Sequence, residues 1–171
     1  MRKLLNPELR ATAEARVKKG LKRKEIYLVL DNLRSVYNIG AIFRSADAAG
    51  VKKIYLCGIC AHPPRPDLHK TALGTEDYMD WEYCEKAIDV VEKLKKDKIK
   101  LAALELTDKS QDFRTLSKAE PIAIVVGNEV DGIADEVLAA CDLAIDIPMA
   151  GWANSINVAT SDAVVLFSLI D

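Results

Sequence analysis

IYLVLDNLRSVYNIGAIFRSADAAGVKKIYLC, residues 26–57, sets the architecture. IYLVL (26–30) and IYLC (54–57) are short apolar runs of strand length, and residues 39–49, closed by Gly50, carry the apolar spacing of a helix. Asn38 stands where an N-cap is wanted, and Gly50 where a left-handed residue would end the helix. Strand, helix and strand in that order pair their strands in parallel through a right-handed crossover. The alternation continues outward. IKLAALEL (99–106), IAIVVG (122–127) and LAIDIP (143–148) read as further strands, and residues 83–96, 133–140 and 156–169 as further helices. The expected fold class is α/β, a mainly parallel sheet with helices on both faces. Ligands of such sheets lie beyond the carboxyl ends of strands, here just after Leu30, Leu106, Val126 and Ile147.

The chain has 171 residues, 50% of them apolar, enough for one domain that buries roughly 70% of its unfolded surface. No uncharged stretch is long and apolar enough to cross a bilayer, and MRKLLNPELR has no signal-peptide block, so a cytoplasmic protein is expected. The net charge of −2 hides an asymmetry: residues 1–24 hold nine Lys/Arg and two Glu, a local +7, which leaves −9 on the remainder. A basic arm attracts a polyanion over a Debye length, although a solubilising exposed helix explains the charge equally well. Asn6 and Pro7 suit an N-cap and first turn, and Leu5, Leu9, Ala13, Val17 and Leu21 recur every fourth residue. Residues 1–24 are therefore read as a basic helical arm and residues 25–171 as the domain. Residues 61–67, with Pro63, Pro64 and Pro66, read as a stiff loop.

Several chemistries are excluded. No two of the eight glycines are separated by a single residue, so a G-x-G-x-x-G dinucleotide fingerprint is absent. Gly127 and Gly132 have P-loop spacing, but Ile133 and Ala134 stand where Lys and Ser/Thr would hold phosphate and magnesium. There is no G-x-S-x-G turn. Cys57, Cys60, His62 and His69 offer four zinc ligands. His62, however, is too close to Cys60 for a common structural spacing, and no second C-x-x-C exists, so no metal is expected.

Polar clusters follow three strands. Asn38, Gly40 and Arg44 come after the first; Arg44, on a small apolar helix, is either functional or in a structural ion pair with a neighbour such as Asp47. Gly127, Asn128, Glu129, Asp131 and Gly132 come next, either a ligand edge or a capped turn. Asn154, Ser155 and Asn157 precede the last helix. Asn154 or Ser155 accounts for the N-cap, which leaves Asn157, a poor helix former in a first turn, with another task. Trp152 beside them reads as a packed loop residue or a base-stacking surface.

In this order the three clusters resemble the motifs of the SpoU/TrmH family of RNA 2′-O-ribose methyltransferases, in the SPOUT superfamily. They are NIGAIFRSADAAG (38–50), IVVGNEVDGI (124–133) and IPMAGWANSINVA (147–159), supported by KTALGTED (70–77) and ALE (103–105). The resemblance implies a C-terminal trefoil knot of SPOUT type, with S-adenosylmethionine bound at the knot through Leu104, Gly127, Ile147, Met149 and Ile156. It implies that Arg44, Asn38, Glu129, Ser155 and Asn157 form the catalytic set. It further implies a homodimer that shares residues across its interface, to which Val164, Val165, Phe167 and Leu169 would contribute. The implied partner is RNA, tRNA rather than ribosomal RNA, and not DNA. Activity on ribosomal RNA, or a catalytically inactive RNA-binding dimer, are the alternatives. A ribose hydroxyl needs proton removal and alignment with the methyl carbon. Arginine stays protonated in proteins, so Arg44 is expected to clamp an adjacent phosphate and stabilise developing oxyanion charge, rather than act as a free base.

Overall fold

The structure, a computed structural model, describes residues 2–170; Met1 and Asp171, the outer ends of the two expected segments, lie outside the described residues. Among the described residues there are seven strands: β1 (Lys24–Asp31), β2 (Val51–Cys57), β3 (Asp80–Cys84), β4 (Lys100–Leu104), β5 (Gln111–Asp112), β6 (Ile122–Val126) and β7 (Leu143–Asp146). All pair in parallel, in the order β3-β2-β1-β6-β4-β7-β5. Six helices accompany them: α1 (Asn6–Lys18), α2 (Val36–Ala49), α3 (Pro66–Ala72), α4 (Ala87–Lys96), α5 (Asp135–Ala140) and α6 (Val158–Ser168).

The apolar runs are continuous because both faces of the sheet are covered. Ile26, Leu28 and Leu30 of β1 and Ile122, Ile124 and Val126 of β6 point into one core with residues of α2, α3 and α6. Tyr27, Val29, Ala123 and Val125 point into a second core with α4 and α5. The helix after β1 and the helix after β6 thus lie on opposite faces of the sheet.

The five expected strands are all found. The sixth and seventh were hidden. Residues 83–96 were expected to be one helix, but Tyr83 and Cys84 end β3 and the helix starts only at Ala87. DWEYC lacks an apolar run because β3 is a partly exposed edge strand, held to β2 by Lys53, whose Nζ lies 2.8 Å from Glu82 and 3.9 Å from Asp80. β5 is only two residues long, below any periodic signal. Within the expected proline loop, Pro66 opens α3.

Three caps differ from expectation. Leu5, not Asn6, is the N-cap residue of α1, and the Glu8 carboxylate reaches back to accept its N–H at 2.7 Å. No residue of α1 is buried, so the stripe of Leu5, Leu9 and Val17 covers nothing in this chain. Helix α2 is capped by Ser35, whose Oγ accepts the Asn38 N–H at 3.2 Å, so Asn38 lies in the first turn with its side chain released. Helix α6 is capped by Asn157 itself, not by Asn154 or Ser155: its Oδ1 accepts from the N–H groups of Ala159 and Thr160 at 3.0 and 3.3 Å.

Candidate functional site

A cleft of about 320 Å³ opens beyond the ends of β4, β6 and β7. Leu104, Gly127, Ile147, Met149 and Ile156, the five expected cofactor residues, all line it, together with Glu129, Ser155 and Asn157. The β6 edge is shaped by backbone contact. A Cβ on Gly127 would stand 2.2 Å from the carbonyl carbon of Gly132 and from the nitrogen of Ile133, so only glycine fits. Asn128 and Gly132 exchange N–H···O bonds of 2.9 and 3.0 Å, while the Asn128 side chain accepts the N–H groups of Val130 and Asp131 and donates to the Asn32 carbonyl at 2.8 Å.

Glu129 joins the first and second clusters. Its Oε2 accepts the Arg34 N–H at 3.0 Å, and its Oε1 accepts the Ser35 N–H at 3.1 Å and the Asn38 side-chain amide at 2.8 Å. Asn38 Oδ1 in turn accepts the Asn157 amide at 3.0 Å. A chain of hydrogen bonds thus runs from the loop after β6, through the first turn of α2, to the cap of α6, and ties together segments about 120 residues apart in sequence. Partial burial alone would raise the Glu129 carboxyl. The donated bonds from Arg34, Asn38 and Ser35 outweigh it and hold the group below the usual carboxylate range.

Arg44 is not part of this chain. It is exposed on α2 and makes no hydrogen bond or ion pair with the described residues. The expected bland reading, a pair with Asp47, is overturned: Asp47 is taken by Arg23, 2.8 Å away. Within one chain the structure therefore brings Asn38, Glu129 and Asn157 together, puts Ser155 on the same cleft and leaves Arg44 off its lining. Trp152 is 99% exposed and packs on nothing, against the expectation of a packed loop residue. Val165 of α6 and Leu169 just after it are core residues, whereas Val164 and Phe167 of α6 remain partly exposed.

Sequence reasoning missed Glu105 and Ser35. Glu105 borders the cleft and its Oε2 accepts the Ile133 N–H at 3.1 Å, bracing the Gly127 turn from β4. Its signal was a carboxylate directly after an apolar strand. The zinc alternative loses its geometry. Cys57 and Cys60 are buried, which pushes their thiols up, Cys60 to about 11, and Cys60 Sγ bonds the backbone of Leu30 and Leu33. His62 packs on Tyr83, His69 bonds Glu76, and among the described residues no group of three metal-ligating side chains converges. Among the described residues, too, no helix is long and apolar enough to cross a membrane.

A cleft at the carboxyl edge of a doubly wound parallel sheet, walled by apolar side chains and rimmed by amides and carboxylates, defines an α/β protein that holds a nucleoside-sized ligand. More particularly, the chain belongs to the SpoU methylase family: residues 25–167 match the family described as SpoU rRNA Methylase. The chain is 31% identical over 149 residues to tRNA (guanosine(18)-2′-O)-methyltransferase of Aquifex aeolicus, covering 85% of this chain and 69% of that one. In structure it is similar to the A. aeolicus TrmH/SpoU tRNA modifying enzyme, with a TM-score of 0.80 at 26% identity over 92% of this chain and 82% of that one. It is also similar to an AdoMet-bound rRNA methyltransferase of Sinorhizobium meliloti, with a TM-score of 0.75 at 27% identity over 87% and 57% of the two chains.

Proposed function

We propose that this protein transfers a methyl group from S-adenosylmethionine to a ribose 2′-hydroxyl of structured RNA, tRNA before ribosomal RNA. The observation that carries the proposal is the hydrogen-bonded line Glu129–Asn38–Asn157 on the rim of the cleft, which assembles three motif residues of an RNA methylase family. The preference for tRNA rests on relatives named as tRNA methyltransferases.

The cleft suits the cofactor chemically. Leu104, Ile147, Met149 and Ile156 offer apolar walls to a flat base, Gly127 lets backbone approach it, and Glu105, Glu129 and Asp146 on the lining suit a cationic donor. Bound there, S-adenosylmethionine would supply the electrophilic methyl group. Asn38 and Asn157 fix the rim where the ribose would sit, with Ser155 beside them. Arg44 clamps a neighbouring phosphate, and the hydroxyl proton leaves through that phosphate or water. Because Arg44 is exposed, unpaired and off the lining of its own cleft, it serves the cleft of a second copy in a homodimer. The partly exposed Val164 and Phe167 of α6 support that contact.

The same reading includes a C-terminal trefoil knot and a cytoplasmic protein. The knot is supported by strand order: β6 and β7 come late in the sequence, yet each lies inside the sheet beside strands that precede it. Residues 1–24 act as an RNA-binding arm, the remainder as the methyltransferase domain.

The test has two parts. Labelled S-adenosylmethionine is incubated with the protein and undermethylated total RNA, and label is expected on a ribose of tRNA; label on ribosomal RNA alone corrects the substrate, and none refutes the activity. Arg44→Ala and Asn157→Ala chains are then co-expressed. Two individually inactive variants regain about a quarter of wild-type activity if each site takes residues from both copies, and none if Arg44 serves its own chain.

A further inference from the structure

We propose that Trp152, on the lip of the cleft, is a platform on which a base of the RNA stacks beside the ribose that receives the methyl group. The inference rests on RNA being the substrate and names how the nucleotide is held there.

Trp152 is 99% exposed, and its ring packs on nothing among the described residues. An indole carries a large apolar surface, and leaving it wholly in water forfeits the gain of burying it. Its place in the chain is informative. It lies in the loop between β7 and α6, in a segment whose flanking residues Met149, Asn154 and Ser155 line the cleft. Trp152 is two residues from Asn154, so their Cα atoms are at most about 7.6 Å apart. Its neighbours leave the ring open. Ala150, Gly151 and Ala153 are all exposed, and even a Cβ on Gly151 would meet nothing within 4 Å. None of the three has a side-chain donor or acceptor with which to read the edge of a base. A ring face without an edge reader accepts any base.

The charge of the cleft gives such a contact its purpose. Glu105, Glu129 and Asp146 line it, and no Lys or Arg among the described residues does. That lining favours a cationic donor and repels the phosphates on either side of a ribose. A nucleotide brought to this rim therefore needs an attraction that does not depend on its charge. Stacking of one ring face on another supplies it, and Trp152 is the exposed aromatic carried by the loop that forms the cleft wall.

The chain has two tryptophans, so Trp81→Phe leaves Trp152 as the sole emitter. The probes are the hexaribonucleotides A6 and C6 and a hexamer of the same sugar-phosphate backbone without bases, titrated at low salt. Trp152 is expected to emit as a water-exposed indole and to be quenched by A6 and C6 with similar affinities, but not by the baseless hexamer. In the chain that keeps Trp81, Trp152→Leu should bind fluorescein-labelled A6 about tenfold more weakly, and Trp152→Phe should keep most of the affinity. The dependence of affinity on salt should be the same in both variants as in wild type, since no phosphate contact is lost. Affinity for S-adenosylmethionine should also be unchanged. Equal quenching by the baseless hexamer, wild-type affinity for A6 in Trp152→Leu, or no binding of any hexamer each overturn the proposal. Weakened S-adenosylmethionine binding in Trp152→Leu would assign the indole to the cofactor, and a buried-indole emission before RNA is added would assign it to a second copy; either overturns it too. Base-dependent quenching in a protein that methylates no RNA refutes the methyltransferase reading and leaves the platform standing, whereas methylation with a wild-type KM for tRNA in Trp152→Leu does the reverse.

Discussion

Glu129→Ala removes a side chain that ties the loop after β6 to the loop after β1 and to the first turn of α2. Three donors lose their acceptor: the N–H groups of Arg34 and Ser35 and the amide of Asn38, at 3.0, 3.1 and 2.8 Å. A hydrogen bond to a charged group contributes about 1.5–3 kcal/mol where water is excluded. Glu129 is largely exposed, so water replaces much of each bond, and the three together are worth about 2 kcal/mol. With a urea m-value of about 2 kcal/mol/M, the midpoint should fall by about 1 M. The pH dependence carries a sign. The folded carboxyl titrates below its unfolded value, so its contribution is complete above the unfolded pKa of about 4.3 and is lost as pH falls through the lower folded one. Urea titrations followed by tryptophan fluorescence should therefore show a gap between wild type and variant that is full at pH 7 and closes in acid. A midpoint within 0.3 M of wild type at about pH 7, or a gap of equal size in acid, would refute the account of Glu129 as a charged tether.

Asp162 on α6 is fully buried, pushed up to about 8 by burial, and among the described residues only Ser45 Oγ donates to it, at 3.3 Å. Its raised folded pKa makes wild-type stability fall from about pH 4 to about pH 8, so Asp162→Asn should unfold several degrees higher than wild type at about pH 8 and show no advantage near pH 4 in scanning calorimetry. Gly127→Ala should cost more than about 3 kcal/mol in urea unfolding, since its Cβ meets backbone that cannot swing aside. Gly151→Ala, with nothing within 4 Å, should stay within about 0.5 kcal/mol. Truncation of residues 1–20 spares Arg23, which is anchored to Asp47 and to the Tyr78 carbonyl at 2.8 Å each. It should leave S-adenosylmethionine affinity unchanged by calorimetry and lower the salt dependence of tRNA binding by about two or more released counterions.

The alternation of IYLVL, IAIVVG and LAIDIP with helical stretches determined a parallel α/β sheet, because strands buried on both faces must be apolar without interruption. The local sequence also placed Gly50 as a left-handed cap, since that requirement acts over a few residues. It could not reveal β3, whose polar edge owes its place to Lys53 across the ladder, nor that Asn38 would be released from capping by Ser35. Nor could it decide between Asp47 and the site for Arg44, because the competitor, Arg23, arrives from another segment. The bonds from Glu129 to Asn38 and from Asn38 to Asn157 span 91 and 119 residues. Pattern and propensity are local, but such contacts exist only once the sheet has set three strand ends side by side, so the site belongs to the tertiary structure.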